Sequence, residues 1–105
     1  NVIPNKSFLS DLKKLSKKYP SLKNDVNDLV ASLKVNPKLG DPLGKDCYKI
    51  RLLIKSKGKG KSGGGRLINC VKLLRSSVYL LAIFDKADFD TLNTHDLQER
   101  LKEII

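Results

Sequence analysis

The order of helical and strand patterns along the chain predicts an α+β fold, with two N-terminal helices packed on an antiparallel sheet and a further helix at the C-terminus. Two stretches with helical spacing of apolar residues come first, and runs rich in β-branched and apolar residues follow them. Apolar residues make up 40% of the 105 residues, which is enough for one core. We therefore expect a single domain, residues 1–105, with the element order β-α-α-β-β-β-α.

The first third of the chain predicts a short strand and two helices. Residues 2–4 are a short apolar start that a proline ends, which is typical of an edge strand. The first helix ends before Pro20, and its apolar residues at i, i+4, i+7 and i+11 are Phe8, Leu12, Leu15 and Tyr19. Ser21 is expected to cap the second helix, with Asp25 in its first turns. The buried stripe of that helix is Leu22, Val26, Leu29, Val30 and Leu33.

The connection between these helices is short, so we expect them to form an antiparallel helical hairpin. An Asn-Pro pair at residues 36–37 ends the second helix. A loop through Gly40, Pro42 and Gly44 then leads to the sheet. The chain contains no internal repeat and no linker long enough to divide it into domains.

Three strands are predicted in the second half of the chain. In residues 47–54 the even positions are apolar, namely Tyr48, Ile50, Leu52 and Ile54. Because successive side chains of a strand point to opposite faces, Lys49 and Arg51 lie side by side on the other surface of the sheet. Residues 67–74 form the second arm of a hairpin, and residues 78–84 form a third, central strand.

The end of the chain predicts a loop over residues 85–93 and a final helix. Thr94 is expected to cap this helix, and its apolar face is formed by Leu97, Leu101 and Ile104. His95 near its start is expected to be a solvated surface residue. The late acidic residues are expected to balance the basic face or to lie near a helix N-terminus; they are Asp85, Asp88, Asp90 and Asp96.

The positive charge of the chain is concentrated around the predicted hairpin. The net charge is +10, and residues 45–75 alone carry seven lysines and three arginines against one aspartate. Between Lys55 and Arg66 the connecting segment holds five of the seven glycines. We expect a flexible, strongly cationic loop that approaches a polyanion, with nucleic acid favoured over a membrane surface.

Several kinds of site are disfavoured by the sequence. The single histidine and the absence of paired ligand spacing predict no metal and no cofactor. Residues 60–62 suggest a phosphate-binding P-loop, but the glycine required five residues earlier is Lys55. Cys47 and Cys70 are expected to be reduced thiols. No apolar run has the length of a membrane span and no signal peptide is recognised, so we expect a cytoplasmic protein without a membrane partner.

The remaining candidates form a cationic group on the hairpin and after the third strand. Its members are Lys49, Arg51, the lysines of residues 55–61, Arg66 and Lys86. Such a surface could simply bind RNA, or it could cleave RNA without a metal. Cleavage requires a base for the 2′-hydroxyl, a cation for the phosphorane and an acid for the 5′-oxygen. Arginine suits the phosphorane, and a lysine crowded by other cations suits acid or base catalysis.

The chain resembles the RelE-like toxins of bacterial type II toxin–antitoxin systems, in particular the HigB-like branch with a long lysine-glycine loop. The most specific pieces are Tyr48-Lys-Ile-Arg-Leu52, Lys57-Gly-Lys-Gly-Lys-Ser-Gly-Gly-Gly-Arg66 and Val78-Tyr-Leu-Leu-Ala-Ile-Phe-Asp-Lys86. The similarity covers nearly the whole chain. It implies a RelE-like fold and a toxin that cuts mRNA in the ribosomal A site. It also implies a cognate antitoxin that covers the basic face or displaces the last helix.

The resemblance also implies roles for individual residues. Arg66 would stabilise the transition state, Arg51 or Lys49 would act as the base, and Lys86 would contact the leaving group or a phosphate. The residues expected to grip ribosomal RNA are Lys55, Lys57, Lys59 and Lys61. The family places a tyrosine near the C-terminus, but residues 88–105 contain none. The remaining auxiliary candidates are Phe84 and His95.

Two other functions fit the same sequence. ParE-like toxins share the scaffold but inhibit DNA gyrase, and the presence of Lys49, Arg51 and Arg66 on one face favours RNA cleavage over that activity. A non-catalytic, basic RNA-binding protein is the other alternative.

Overall fold

The computed structural model describes residues 1–89 and 91–104, without the side chains of Lys61 and Leu73. Asp90, one of the late acidic residues, lies outside this part of the chain. The elements are β1 (Val2–Pro4), α1 (Lys6–Ser16), α2 (Leu22–Val35), β2 (Asp41–Gly44), β3 (Cys47–Leu52), α3 (Gly60–Gly63), β4 (Gly65–Lys72), β5 (Ser77–Asp85) and α4 (Thr94–Leu101), with single 3₁₀ turns at Lys55–Lys57 and Leu73–Arg75. The predicted α+β class is confirmed.

The five strands form one sheet in the order β1-β5-β4-β3-β2. β1 pairs with β5 in parallel, and the other neighbours are antiparallel, so the sheet is mixed where an antiparallel one was predicted. β2 replaces the predicted loop through Gly40, Pro42 and Gly44. A strand containing proline is tolerated there because β2 is an edge strand, whose outer N–H groups need no partner in the sheet.

α1 and α2 pack on one face of the sheet. The first core cluster joins residues of the two helices to β3, β4 and β5, and its most deeply buried members are Phe8, Leu22, Leu33, Ile54 and Leu67. Ser21 occupies the predicted N-cap position, but its hydroxyl oxygen accepts no N–H of the helix; the hydroxyl donates instead to the Asp25 carboxylate at 2.6 Å. Tyr19 follows α1 in a turn and remains buried.

α4 packs on the opposite face, over a second core cluster. This cluster consists of Leu97 of α4 and six residues of the central strands, which are Cys47, Ile68, Cys70, Leu81, Ala82 and Phe84. Asn93, one residue before the predicted Thr94, caps the helix: its side-chain oxygen accepts the N–H of Asp96 at 2.8 Å. The cysteines are buried free thiols on neighbouring strands, directly opposite each other in register.

None of the helices in residues 1–89 and 91–104 combines the length and apolar character that crossing a membrane requires.

Candidate functional site

Three cationic residues of the predicted site converge on one face of the sheet. The register pairs Arg51 of β3 with Arg66 of β4, and Arg66 in turn with Phe84 of β5. Lys49 lies two residues before Arg51 on the same strand, opposite Ile68. Side chains directly opposite each other in a sheet share a face, so these four side chains form one surface, which we call the cationic row. It lies on the face that carries α4.

A bulge in β5 brings Phe84 into the row. The register changes between Ile68 and Asn69, which pair with Ala82 and Leu80. Leu81 is therefore the extra residue, and the alternation of β5 shifts by one position beyond it. Without the bulge, Ile83 instead of Phe84 would lie opposite Arg66.

Lys86 follows β5 at the same end of the sheet. Its N–H donates to the carbonyl of Gly64 at 3.1 Å, which continues the β4–β5 ladder one step beyond the Gly65–Asp85 pair. Lys86 is therefore held beside the row by its backbone, and its side chain is half-buried. Of the four residues predicted to be catalytic, Arg51, Arg66 and Lys86 lie at this end of the sheet. Lys49 lies two residues before Arg51 on β3.

The two arginines of the row differ in their exposure. Arg51 is exposed, whereas Arg66 is only 3% exposed. The Arg66 guanidinium donates to the carbonyls of Gly65 at 2.8 Å and Ser62 at 3.0 Å. Like charges directly opposite on a sheet destabilise it, so an anion placed between Arg51 and Arg66 would be stabilising. A phosphate oxygen is the anion that a guanidinium fork fits best.

The two auxiliary candidates lie in different surroundings. Phe84 is buried beneath Phe89, with ring centroids 4.5 Å apart and planes at 27°. Phe89 is 48% exposed, so it offers an aromatic surface that Phe84 does not. His95 is on the surface as expected, and its ring nitrogens lie 3.7 Å and 3.8 Å from carboxylate oxygens of Asp96 and Glu99. These contacts are with its own helix and none of them is with the row.

The glycine-rich segment is more structured than a flexible loop. A 3₁₀ turn and α3 occupy much of it, and Lys55 and Lys59 are exposed as predicted. The side chain of Lys61 lies outside the described part of the chain. Lys57 departs from the expectation that it grips RNA, because its side chain is only 11% exposed. Its ammonium lies 2.5 Å from a carboxylate oxygen of Asp85 and donates to the carbonyl of Gly64 at 3.2 Å.

Asp85 lies next to the row and is buried, which the sequence did not predict. Its side chain is 1% exposed and accepts hydrogen bonds from Tyr19 at 2.5 Å, Lys57 at 2.5 Å and the N–H of Ala87 at 2.9 Å. Lys18 adds an ammonium at 3.6 Å. Burial acts to raise the pKa of Asp85, but these hydrogen bonds outweigh it and hold the pKa well below its usual range. The expectation that the late acidic residues balance the basic face or lie near a helix N-terminus does not hold for Asp85, which is buried against Tyr19 and Lys57.

No local pattern could have revealed this contact. Tyr19 and Asp85 are 66 residues apart in sequence, and Lys57 and Asp85 are 28 apart. Hydropathy periodicity reports which face of one element is buried, and it carries no signal for a polar pair joined across elements. The position of Asp85 at the end of an otherwise apolar strand indicated at most that it could be buried, and it did not indicate its partners.

Groups of three or more His, Cys, Asp and Glu side chains that could hold a metal ion do not occur among residues 1–89 and 91–104. The row itself is cationic, and cations are unsuitable as metal ligands. Its chemistry is the binding of anions.

Comparison with solved structures identifies the fold. A free-state structure of a double mutant of the E. coli toxin RelE superposes with a TM-score of 0.64 at 18% identity, covering 99% of this chain and 96% of that one. A crystal structure of the isolated E. coli RelE toxin gives a TM-score of 0.62 at 19% identity, covering 99% and 97%. No family model matches the sequence. The chain thus adopts the RelE fold over essentially its whole length.

Proposed function

We propose that this protein is a toxin of the RelE family, of the HigB-like branch, and acts as a ribosome-dependent endoribonuclease on mRNA. The observation that carries the proposal is the cationic row, in which Lys49, Arg51 and Arg66 share one face of a RelE fold. A cationic face with two arginines in register suits the scissile phosphodiester of an RNA chain. Such a reaction needs no metal, because the 2′-hydroxyl of the substrate is the nucleophile.

The chemistry follows from the arrangement of the row. The amine of Lys49, when unprotonated, accepts the proton of the 2′-hydroxyl, and the 2′-oxygen attacks the phosphorus. The guanidinium of Arg51 has no lone pair to accept a proton, so it pairs with the phosphate. Arg66 stabilises the negative charge that accumulates on the phosphorane oxygens. The bond to the 5′-oxygen then breaks, and Lys86 donates a proton to this leaving group. The products are a 2′,3′-cyclic phosphate and a free 5′-hydroxyl, so atoms and charge balance without a cofactor.

The aromatic contact expected in this family falls to Phe89 in our proposal. Its ring is exposed and supported from below by Phe84, which ends the cationic row. A base of the mRNA stacked there would be held beside the row, and a stacked base contributes about 1–3 kcal/mol to binding. His95 keeps no role in this arrangement.

The ribosome and an antitoxin are the proposed partners. Lys55 and Lys59 project from the glycine-rich segment and are suited to contact ribosomal RNA backbone. The antitoxin would neutralise the toxin by covering the basic face or displacing α4. Ribosomes and mRNA place the site of action in the cytoplasm.

Primer extension on a translated mRNA tests the proposal. With wild-type protein we expect cleavage within codons at the A site. The cleavage should require ribosomes but no added catalytic metal ion. Arg66→Ala should abolish the cleavage and relieve growth arrest on induction. Intact transcripts accompanied by double-strand breaks in DNA would indicate a gyrase inhibitor instead.

A non-catalytic RNA-binding protein is the second candidate, and the burial of Arg66 beneath loop carbonyls is the observation that favours it. Ribosome binding without any cleaved product, together with only a proportional loss of affinity in Arg66→Ala, would establish that function and overturn ours.

A further inference from the structure

We propose that Asp85, Lys57 and Tyr19 form a buried charged network that positions Arg66 and Lys86 for the phosphodiester without touching the RNA. The inference rests on the proposed function, because it assigns positioning residues to that reaction.

The network lies on the face of the sheet opposite the cationic row. Phe84 belongs to the row, so strand alternation directs the side chain of the next residue, Asp85, to the face covered by α1 and α2. The contact with Tyr19 confirms this, since Tyr19 belongs to the core cluster beneath those helices. An RNA chain bound to the row is thus separated from Asp85 by the sheet itself.

The polar atoms of the network are satisfied within the protein. One carboxylate oxygen of Asp85 accepts from Lys57 and from the N–H of Ala87, and the other accepts from Tyr19. Burying a charge in this way is tolerated when the charge is paired and hydrogen-bonded. The lysine side chain is 11% exposed against 65% for Lys55 two residues earlier, so Lys57 is unsuited to contact a phosphate in solution.

A single carbonyl group connects the network to the residues of the row. The ammonium of Lys57 donates to the carbonyl of Gly64, and the same carbonyl accepts the N–H of Lys86. Arg66 in turn donates to the carbonyls of Ser62 and Gly65, on either side of Gly64. Fixing the backbone at Gly64 therefore fixes both the main chain of Lys86 and the acceptors that orient the Arg66 guanidinium.

The backbone at Gly64 has little room to adjust. A Cβ atom built there would lie 2.2 Å from the carbonyl oxygen of Leu52 in β3. The segment therefore passes in direct contact with β3, and the Lys57 bond determines how it is held there. Small displacements of catalytic groups are costly, and one of about 1 Å can reduce a rate about 100-fold.

The test uses the double variant Lys57→Met/Asp85→Asn. Either single substitution leaves an uncompensated charge or an unpaired ammonium in the interior, and such a protein could fail to fold. The double variant removes both charges at similar side-chain volume, so its melting temperature should stay near that of the wild type. The bond to Gly64 is nevertheless lost. We expect kcat for ribosome-bound mRNA to fall about 100-fold while KM changes little.

Two single lysine variants serve as comparisons. Lys59→Met removes the same charge from the exposed part of the same segment and should raise KM. Lys14→Met lies on α1, on the other side of the sheet from the row, and should retain both kcat and KM. The double variant keeps the net charge of the wild type, so an effect of charge alone would leave its kcat and KM unchanged. Either that result or a raised KM like that of Lys59→Met would overturn the positioning role.

Amide hydrogen exchange separates this inference from the proposed function. Exchange at the N–H of Lys86 should be faster in the double variant than in wild type, because its acceptor at Gly64 is no longer held. If the wild-type protein cleaves mRNA and the double variant does so with the same kcat, the positioning role of the network is refuted and the proposed function stands. If the wild type does not cleave, the proposed function fails, and unchanged exchange at Lys86 would refute the positioning role as well.

Discussion

The opposition of Arg51 and Arg66 across β3 and β4 is the central feature at the scale of single residues. Two guanidinium groups in register repel each other in the free protein, and an anion between them converts that repulsion into attraction. The two guanidinium groups differ in how firmly they are held before an anion binds. Arg66 is already oriented by two backbone carbonyls, whereas Arg51 is exposed and can follow the substrate.

Replacing Arg66 by lysine keeps the charge and removes the planar fork. Lysine cannot hold two carbonyls and present two parallel donors to a phosphate at once, so transition-state stabilisation should be lost. We expect single-turnover cleavage on programmed ribosomes to slow about 100-fold. Arg75→Lys, at the far end of β4, is the matched control and should cleave at the wild-type rate. An equal effect of both substitutions would contradict the assigned role.

The depressed pKa of Asp85 predicts how stability depends on pH. The carboxyl group is ionised in the folded state at a pH where it is protonated in the unfolded chain. Its contribution is therefore fully present above the ordinary aspartate pKa of about 3.9 and is lost as the pH falls below it. The unfolded state takes up the proton first, so acid favours unfolding.

Tyr19→Phe should weaken this dependence. The substitution removes one of the hydrogen bonds that hold the Asp85 pKa low, and it should cost about 2 kcal/mol at neutral pH. Urea denaturation at several pH values should show the two free energies of unfolding falling in parallel through the ordinary aspartate pKa of about 3.9 and converging only well below it, where the carboxyl group of the folded variant takes up a proton before that of the wild type. A difference that stays constant at every pH would mean that the hydroxyl does not act through Asp85.

Among the elements, α4 has the most distinctive attachment. It covers the second core cluster through Leu97, and Arg100 joins it to the rest of the fold. The Arg100 guanidinium lies 2.6 Å from a carboxylate oxygen of Asp11 in α1 and 2.8 Å from the carbonyl of Leu81 in β5. The same Asp11 accepts the N–H of Ile83 at 3.3 Å. One ion pair thus fixes α4 and also supplies partners for the edge of β5 beyond its pairing with β1.

Arg100→Ala should detach α4 without unfolding the sheet. The lost hydrogen bonds join charged groups that are only about a fifth to a quarter exposed, and we expect a cost of about 2 kcal/mol. Amide exchange should accelerate in residues 94–101. Lys102→Ala, which breaks only an exposed pair with Glu99, should change stability by less than about 1 kcal/mol. Equal exchange rates in the two variants would show that Arg100 is not the anchor.

For the molecule as a whole, apolar periodicity predicted the helices and the central strands, because burial imposes one period on each element. It also predicted that Lys49 and Arg51 share a face, since β3 alternates regularly. β2 was missed because Pro42 and its flanking glycines are typical of a loop, and only pairing with β3 makes them a strand. The Asp85 contacts were missed because they join distant segments through polar atoms, which leave no periodic trace.

The distribution of charge over the molecule leads to a last prediction. The net charge is +10, but the two groups of lysines lie differently: the glycine-rich segment leads directly into Arg66 at the end of the sheet where the row lies, whereas α1 covers the opposite face of the sheet. Lys55→Gln/Lys59→Gln should reduce the slope of log affinity for ribosomes against log salt concentration by about one to two units. Lys13→Gln/Lys14→Gln removes the same charge from α1 and should leave that slope nearly unchanged. Equal reductions in both variants would mean that ribosomes respond to net charge alone, and the glycine-rich segment would then have no specific part in binding.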